Sequence, residues 1–191
     1  MKSLRAIVYI SVLTAFSAAI AQQPVPPPPK PAADGPTLEA TMKFIQTKLS
    51  EQGKLNFAIY THDNVDGKDY TDLSSIEYNN IVADPATCRI SYYRNSRTNN
   101  TSDGGVASYN LHDVVDLVVM IAEQDWKKRA AAAGHPTWNP RFDPPMFLVM
   151  VRRAGNQENG FYFSDEDTAN RIAKAMVHAV ELCGGGSKEP F

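Results

Sequence analysis

FYFSDEDTANRIAKAMVHAVELC, residues 161 to 183, decides the fold because it joins a short apolar segment to a long alanine-rich run. Ser164 is a favourable N-cap, and Asp167 three positions later forms a weaker version of the capping box. Wound at about 100° per residue, the run places small and apolar residues on one face: Ala169, Ile172, Ala173, Met176, Ala179, Val180 and Cys183. His178 falls on the opposite side, toward solvent. Residues 184–186 are three glycines, which end the predicted core helix.

The preceding segments change from helical to strand periodicity. Residues 37–52 carry apolar residues at helical spacing, with Thr37 as N-cap and Gly53 as stop. The period then becomes two, which indicates strands, with a turn at Asp66-Gly67 and polar loops at 94–105 and 154–159. We count six or seven strands in the following segments: 54–61, 68–84, 86–93, 106–121 (two strands joined near His112-Asp113), 146–153 and 160–164.

An N-terminal helix, a meander of strands and a long C-terminal helix resemble the pleckstrin-homology-like (PH-like) architecture, over roughly residues 54–183. The resemblance rests on the order of elements. It implies an α+β fold in which a partly open antiparallel β-barrel is capped at one end by the last helix. The closing stretch AKAMVHAVELCGGGSKEPF, residues 173–191, is also similar to the ends of uncharacterised secreted bacterial proteins, which carry no known activity. The alternative fold is an α+β sandwich with both helices on one face of a single sheet.

The first 36 residues predict export followed by a spacer. Lys2 and Arg5 precede an uncharged stretch, residues 6–21, that ends in small residues, as a signal peptide does. The 16 residues of that stretch fall short of the roughly 20 that span a bilayer. A cleaved leader (1–21) is therefore favoured over an uncleaved anchor, and it leaves no transmembrane segment and a net charge of −4.

Residues 22–36 contain seven prolines and predict an extended linker. The remaining residues, 37–191, have the length and composition of one globular domain. We expect this domain to be periplasmic or secreted. The linker holds it away from the export machinery or the envelope.

The acidic loop at residues 61–72 argues against two classes of ligand. Membrane-binding pleckstrin-homology domains hold inositol phosphates in a basic loop at this place, whereas here four aspartates against Lys68 would repel a phosphate. Aligned as a calcium loop on Gly67, the chain offers His62 and Leu73 where carboxylates are required. The four histidines also lack zinc-ligand spacing. We expect no phosphoinositide, no nucleic acid, no metal and no cofactor.

Cys88 and Cys183 fall on apolar faces of a predicted strand and of the last helix. Export would carry them to a compartment in which disulfides form. A bridge between them is slightly favoured over two buried free thiols. The sequence does not give the distance between the two sulfur atoms.

An insertion at residues 123–145 separates two predicted strands by more chain than a hairpin needs. Its first half predicts a short helix stopped by Gly134, and its second half predicts a proline-stiffened loop. Tryptophan and arginine on such a loop favour recognition, although the tryptophans can equally pin the insertion to the domain. The candidate binding residues are Trp126, His135, Trp138, Arg141 and Asp143.

No nucleophile elbow, phosphate-binding glycine loop or other catalytic motif is present in the sequence. The leading hypothesis is therefore an exported, non-enzymatic binding or protein-interaction domain of the bacterial cell envelope. A hydrolase that uses His135 with Asp143 or Asp113 is the alternative, and it requires His135 to lie within hydrogen-bond reach of a carboxylate. A purely structural spacer is the third hypothesis.

Overall fold

The structure, a computed structural model, describes residues 35–186. The predicted signal peptide and residues 22–34 of the predicted linker lie outside this range, as do residues 187–191. The elements are α1 (Leu38–Glu51), β1 (Leu55–Asp63), β2 (Asp69–Asp84), β3 (Arg89–Thr98), β4 (Thr101–Asn110), a 3-10 turn (Leu111–Asp113), β5 (Val114–Ile121), α2 (Ala122–Ala132), β6 (Trp138–Asp143), β7 (Phe147–Arg153), β8 (Gln157–Phe163) and α3 (Glu166–Leu182). Among these helices, none combines the length and apolar character that a membrane crossing requires.

The strands form two antiparallel sheets. The first has the order β4-β3-β2-β1-β6 and the second has the order β5-β7-β8. The α+β class is therefore confirmed. Residues 35–186 contain eight strands and not six or seven, because β6 forms where the sequence predicts a loop. The strands also do not close into a single barrel, because the edge strand β8 pairs with β7 alone.

A β-hairpin replaces the polar loop predicted at residues 94–105. β3 and β4 pair continuously from Arg89↔Asn110 to Thr98↔Thr101. The two-residue turn between them begins with Asn99 at a φ of 52°, a left-handed conformation that asparagine tolerates. Most side chains of this extension are exposed, so they are polar and give no apolar alternation for the sequence to reveal. We call residues 74–78 of β2, 94–98 of β3 and 101–105 of β4, with the turn at 99–100, the arm.

The second half of the insertion forms a strand and not the predicted loop. β6 pairs antiparallel with β1, from Asp63↔Trp138 to Ala58↔Asp143. Pro140 is tolerated within it because β6 is an outer strand, where one side needs no ladder hydrogen bond. The short helix predicted before it is confirmed as α2.

The buried face of α3 is the predicted one: Ala169, Ile172, Ala173, Met176, Ala179, Val180 and Cys183 are all buried. The predicted N-cap was wrong by one position, because the carboxylate of Asp165, not the hydroxyl of Ser164, accepts the N–H of Thr168 at 2.7 Å. His178 is half-buried and does not point freely into solvent, since its Nε2 donates to the carbonyl of Pro36 at 2.8 Å. Helix α1 begins at the predicted N-cap, Thr37, and packs beside α3 with Met42, Ile45 and Leu49 buried.

The C-terminus of α3 ends in a Schellman motif that brings the chain against the 3-10 turn. The N–H groups of Gly184 and Gly185 bond the carbonyls of Glu181 and Val180, and Gly184 has the left-handed φ of 73° that this motif requires. A Cβ atom on Gly185 would stand 2.2 Å from the carbonyl oxygen of Leu111. Glycine at 185 therefore permits a backbone contact that no other residue fits.

A disulfide joins Cys88 to Cys183, with a Cα–Cα distance of 5.9 Å. Cys183 is the buried C-cap of α3. Cys88 precedes β3 and does not lie within it; it occupies a turn at a φ of 51°. The bond spans 95 positions of sequence, so it ties the end of the core helix to the turn between β2 and β3.

Removal of this disulfide is expected to lower stability substantially. In the Cys88→Ser/Cys183→Ser double variant, the free energy of unfolding should fall by about 4–5 kcal/mol, because a long loop of the unfolded chain regains its entropy. Guanidinium denaturation of both proteins measures the difference, and wild-type protein in reductant serves as the control. A loss below about 1 kcal/mol would contradict this prediction.

The close approach at Gly185 can be tested separately. Gly185→Ala should lower the free energy of unfolding by about 1–3 kcal/mol or more, because the new methyl group overlaps the Leu111 carbonyl. Gly105→Ala is the matched control, since a Cβ there meets nothing within 4 Å. Urea denaturation should separate the two variants. Equal stabilities would show that the chain after α3 moves away without cost.

Candidate functional site

Three of the five predicted binding residues meet beside β6. The rings of His135 and Trp138 stack with their centroids 4.0 Å apart, and Trp126 of α2 stacks on Trp138 at 5.6 Å. Tyr70 of β2 contacts the same indole at 5.5 Å. We call these four residues the aromatic cluster. Trp138 is its centre, because each of the other rings contacts it.

Asp63, the last residue of β1, holds Trp138 in place. Its carboxylate accepts hydrogen bonds from the N–H of Val65 at 2.9 Å, from the hydroxyl of Thr137 at 2.8 Å and from the indole N–H of Trp138 at 3.1 Å. The Val65 bond, followed by the Thr137 bond, lowers the pKa of Asp63 below its ordinary value. Trp138 therefore has a packing role that fastens the insertion to β1.

Arg141 and Asp143 lie apart from the aromatic cluster, because side chains alternate along β6 and these two point to its other face. The guanidinium of Arg141 lies 4.9 Å from the centroid of the Tyr60 ring. Asp143 borders a shallow hollow with Leu73 and Arg97 on the outer face of the first sheet. The five predicted residues thus occupy two surfaces and do not make one site.

The geometry does not assemble the residues of the alternative hydrolase. His135 precedes β6 and Asp143 ends it, so about five residues of strand, roughly 17 Å, separate them. Asp113 lies in the 3-10 turn beside the second sheet. Within residues 35–186 the imidazole of His135 stacks on the Trp138 ring and forms no hydrogen bond to a carboxylate.

A cleft that the sequence does not suggest lies between the inner face of the first sheet and α2. Its apolar lining comes from Phe57, Ile59, Ile76, Trp126, Phe142 and Tyr162. Arg94 of β3 and Arg129 of α2 border it, and beyond them a second cavity continues along β8. Each cavity holds about 190 Å³. Sequence reasoning missed the cleft because its walls come from distant segments, two of which, those with Arg94 and Phe142, were predicted to be loops.

Both arginines of the cleft are held by neighbouring side chains. Arg129 donates to the hydroxyl of Tyr162 at 2.9 Å and to the carboxylate of Asp125 at 2.8 Å. Asp125 is only 7% exposed, and a buried carboxylate needs such a partner. Burial raises the pKa of Tyr162, so its hydroxyl stays protonated. Arg94 pairs with Asp103 across the arm at 2.9 Å, which leaves both guanidinium groups at the border of the cleft.

A side chain, and not a strand, joins the two sheets beside the cleft. The hydroxyl of Tyr78 in β2 donates to the carbonyl of Gly160 at 3.1 Å and accepts the N–H of Tyr162 at 3.0 Å. Gln52 donates to the carbonyl of Tyr162 at 2.6 Å. Three backbone groups on the outer edge of β8 thus bond to side chains, namely the carbonyl of Gly160 and both the N–H and the carbonyl of Tyr162. Burial raises the pKa of Tyr78 far above its ordinary value, so this phenol remains a donor.

Asp63→Asn should loosen the insertion. One amide group cannot accept all three hydrogen bonds, and its NH₂ would face another donor. The melting temperature should therefore fall at neutral pH, and tryptophan fluorescence should change because Trp138 loses its acceptor. The lowered pKa of Asp63 contributes stability that is fully present above the ordinary value of 3.8 and is lost as pH falls through the folded-state value. The difference between variant and wild type should then shrink in acid.

Asp69→Asn is the control for this variant, because the Asp69 carboxylate is exposed and hydrogen bonds to His62 and not to Thr137 or Trp138. Thermal melts at neutral pH and below pH 4 compare all three proteins. If Asp63→Asn has the same melting temperature as the wild type at neutral pH, the hydrogen bonds to Asp63 do not fasten the insertion.

The described residues contain no group of three or more histidine, cysteine, aspartate or glutamate side chains placed to hold a metal ion. The acidic loop forms a turn, in which the carboxylate of Asp66 accepts hydrogen bonds from the backbone N–H and the ammonium of Lys68.

The structure presents two candidate surfaces, the aromatic cluster and the cleft. Comparisons with protein-family models, with curated proteins and with solved structures found no match.

Proposed function

We propose that this chain is an exported, non-enzymatic binding domain of the bacterial cell envelope and that the cleft is its contact site. The leader-like N-terminus and the proline-rich stretch support the location. The partner we propose is an envelope protein or peptide. The single observation that carries the contact site is that α2, the first half of the insertion, forms an open aromatic cleft with the first sheet.

The composition of the cleft suits protein recognition. Trp126 and Tyr162 present aromatic surface beside Arg94 and Arg129, and these residue types dominate binding energy at protein interfaces. Small-molecule pockets usually hold about 300–1,000 Å³, which exceeds the 190 Å³ or so of each cavity. The space suits partner side chains better than a free metabolite.

For the fold we propose a PH-like arrangement with additions. The support is the element order: β1 to β4 form one sheet, β5, β7 and β8 form the other, and α3 packs last. β6 and α2 are then an insertion that extends the first sheet, and α1 is an N-terminal addition. The acidic loop after β1 keeps this proposal distinct from phosphoinositide binding.

The contact site can be tested with charge reversals on the two faces of β3. Arg94 faces the cleft, whereas Arg97 points to the outer face. Arg94→Glu should reduce capture of the envelope partner about tenfold or more, because it replaces a guanidinium on the lining of the cleft with a carboxylate. Arg97→Glu, the matched control, should bind as the wild type does. Affinity capture from envelope extract, quantified by mass spectrometry, compares the three proteins.

A photo-crosslinking residue locates the contact directly. Placed at Ser96, which lines the cleft, it should crosslink to the partner, and placed at Asn95 on the outer face it should not. Thermal melts confirm that each variant is folded. Partner capture that is unchanged by Arg94→Glu, or crosslinking from Asn95 alone, would refute the cleft as the contact site.

A further inference from the structure

β5 is an outer strand of the second sheet with an unusually apolar sequence. Within the part of the chain that the structure describes, it pairs with β7 alone. Its eight residues read VVDLVVMI, so Asp116 is its single charged side chain. The carboxylate of Asp116 is paired with Arg152 of β7 at 3.0 Å. One edge of this strand thus presents unpaired backbone groups between apolar side chains.

The other outer strands carry protection that β5 lacks. Proteins guard strand edges with proline, charge, irregularity or a covering group. β6 contains Pro140, β8 is covered by the side chains of Tyr78 and Gln52, and β4 is polar with two adjacent glycines. In β5 the register shifts between Val114 and Asp116, which makes only the beginning of the strand irregular. Among the residues that the structure describes, nothing gives comparable protection to the regular part of β5, residues 117–121.

We infer that β5 pairs antiparallel with β5 of a second copy of this chain. Centred on Val119, the pairing sets Val119 against the partner's Val119, Leu117 against the partner's Ile121, and Val118 against the partner's Met120. Every opposed pair is then apolar. Opposed residues share a sheet face, so the side chains packed toward α3 continue as one row across the axis. The dimer contains one six-stranded sheet.

The charge of Asp116 favours the register centred on Val119, and the apolar sequence of β5 favours a second copy of this chain as the partner. Centred on Leu117 or on Val118, the pairing would place Asp116 opposite the partner's Val118 or the partner's Met120. Centred on Val119, it places Asp116 opposite the partner's Ala122, where α2 begins. The carbonyl of Val114 already accepts the N–H of Gly186 at 2.9 Å and stays outside the pairing. A second copy of β5 carries the same uncharged residues at the opposed positions. Two-fold symmetric dimers are also the commonest closed assemblies.

A cysteine scan tests the register. Val119 faces its own counterpart across the axis, so two Cα atoms about 4.5–5.5 Å apart, within disulfide range, meet there. Val119→Cys should therefore form a disulfide-linked dimer under mild oxidation. Val118→Cys, on the other face and opposite Met120, should crosslink far more slowly. Cys88 and Cys183 do not interfere, because they are bonded to each other. Val119→Cys that crosslinks no faster than Val118→Cys overturns the proposed pairing.

Sedimentation velocity tests the dimer without crosslinking. The wild-type protein should sediment with twice the mass of its chain, and Val118→Lys should weaken the dimer about tenfold or more by opposing charge to an apolar partner strand. Val106→Lys, at a side chain 79% exposed on the outer strand β4, is the control and should remain dimeric. Circular dichroism checks that each variant is folded. A wild-type protein that is monomeric at all concentrations overturns the inference, whatever the outcome at the cleft.

Discussion

The relation between the two sheets depends on the hydroxyl of Tyr78. This hydroxyl donates to the carbonyl of Gly160 and accepts the N–H of Tyr162 on the edge of β8. The buried hydroxyl and both backbone groups therefore have hydrogen-bond partners. Backbone pairing between β8 and β2 would have merged the two sheets along this side. A phenol that reaches from β2 instead keeps the sheets a side chain apart. Tyr78 lies near the middle of β2, so the arm extends beyond β8. The space between the arm and α2 is the cleft.

The parts of the fold that the sequence predicts are the parts with a local cause. The buried face of α3 follows from a 3.6-residue period and from the glycines after it, and every residue assigned to that face is buried. The prediction of Ser164 as N-cap was wrong because aspartate caps as well as serine, and the path of the chain leaving β8 places Asp165 at the cap position. Boundaries of this kind depend on tertiary geometry.

The arm and β6 have no local cause of that kind. β6 is stabilised by pairing with β1, which is distant in sequence, and the hairpin of the arm is largely exposed to solvent. Their polar residues therefore resemble those of a loop until the pairing is known. The cleft inherits this difficulty, since Arg94 lies in the segment predicted as a loop. The disulfide was predicted in another way. Apolar surroundings and the predicted signal peptide favoured it, although 95 positions separate the two cysteines.

The hydrogen bond between His178 and the carbonyl of Pro36 has a mechanical consequence. The described chain enters the domain at this point, directly before α1, and the contact joins the entry to α3. A pull on the chain ahead of Pro36 therefore acts first on two helices packed against each other. The far end of α3 is bonded covalently to the first sheet through Cys183. Such a pull has to break the packing of α1 on α3 before it reaches β1, the next element along the chain.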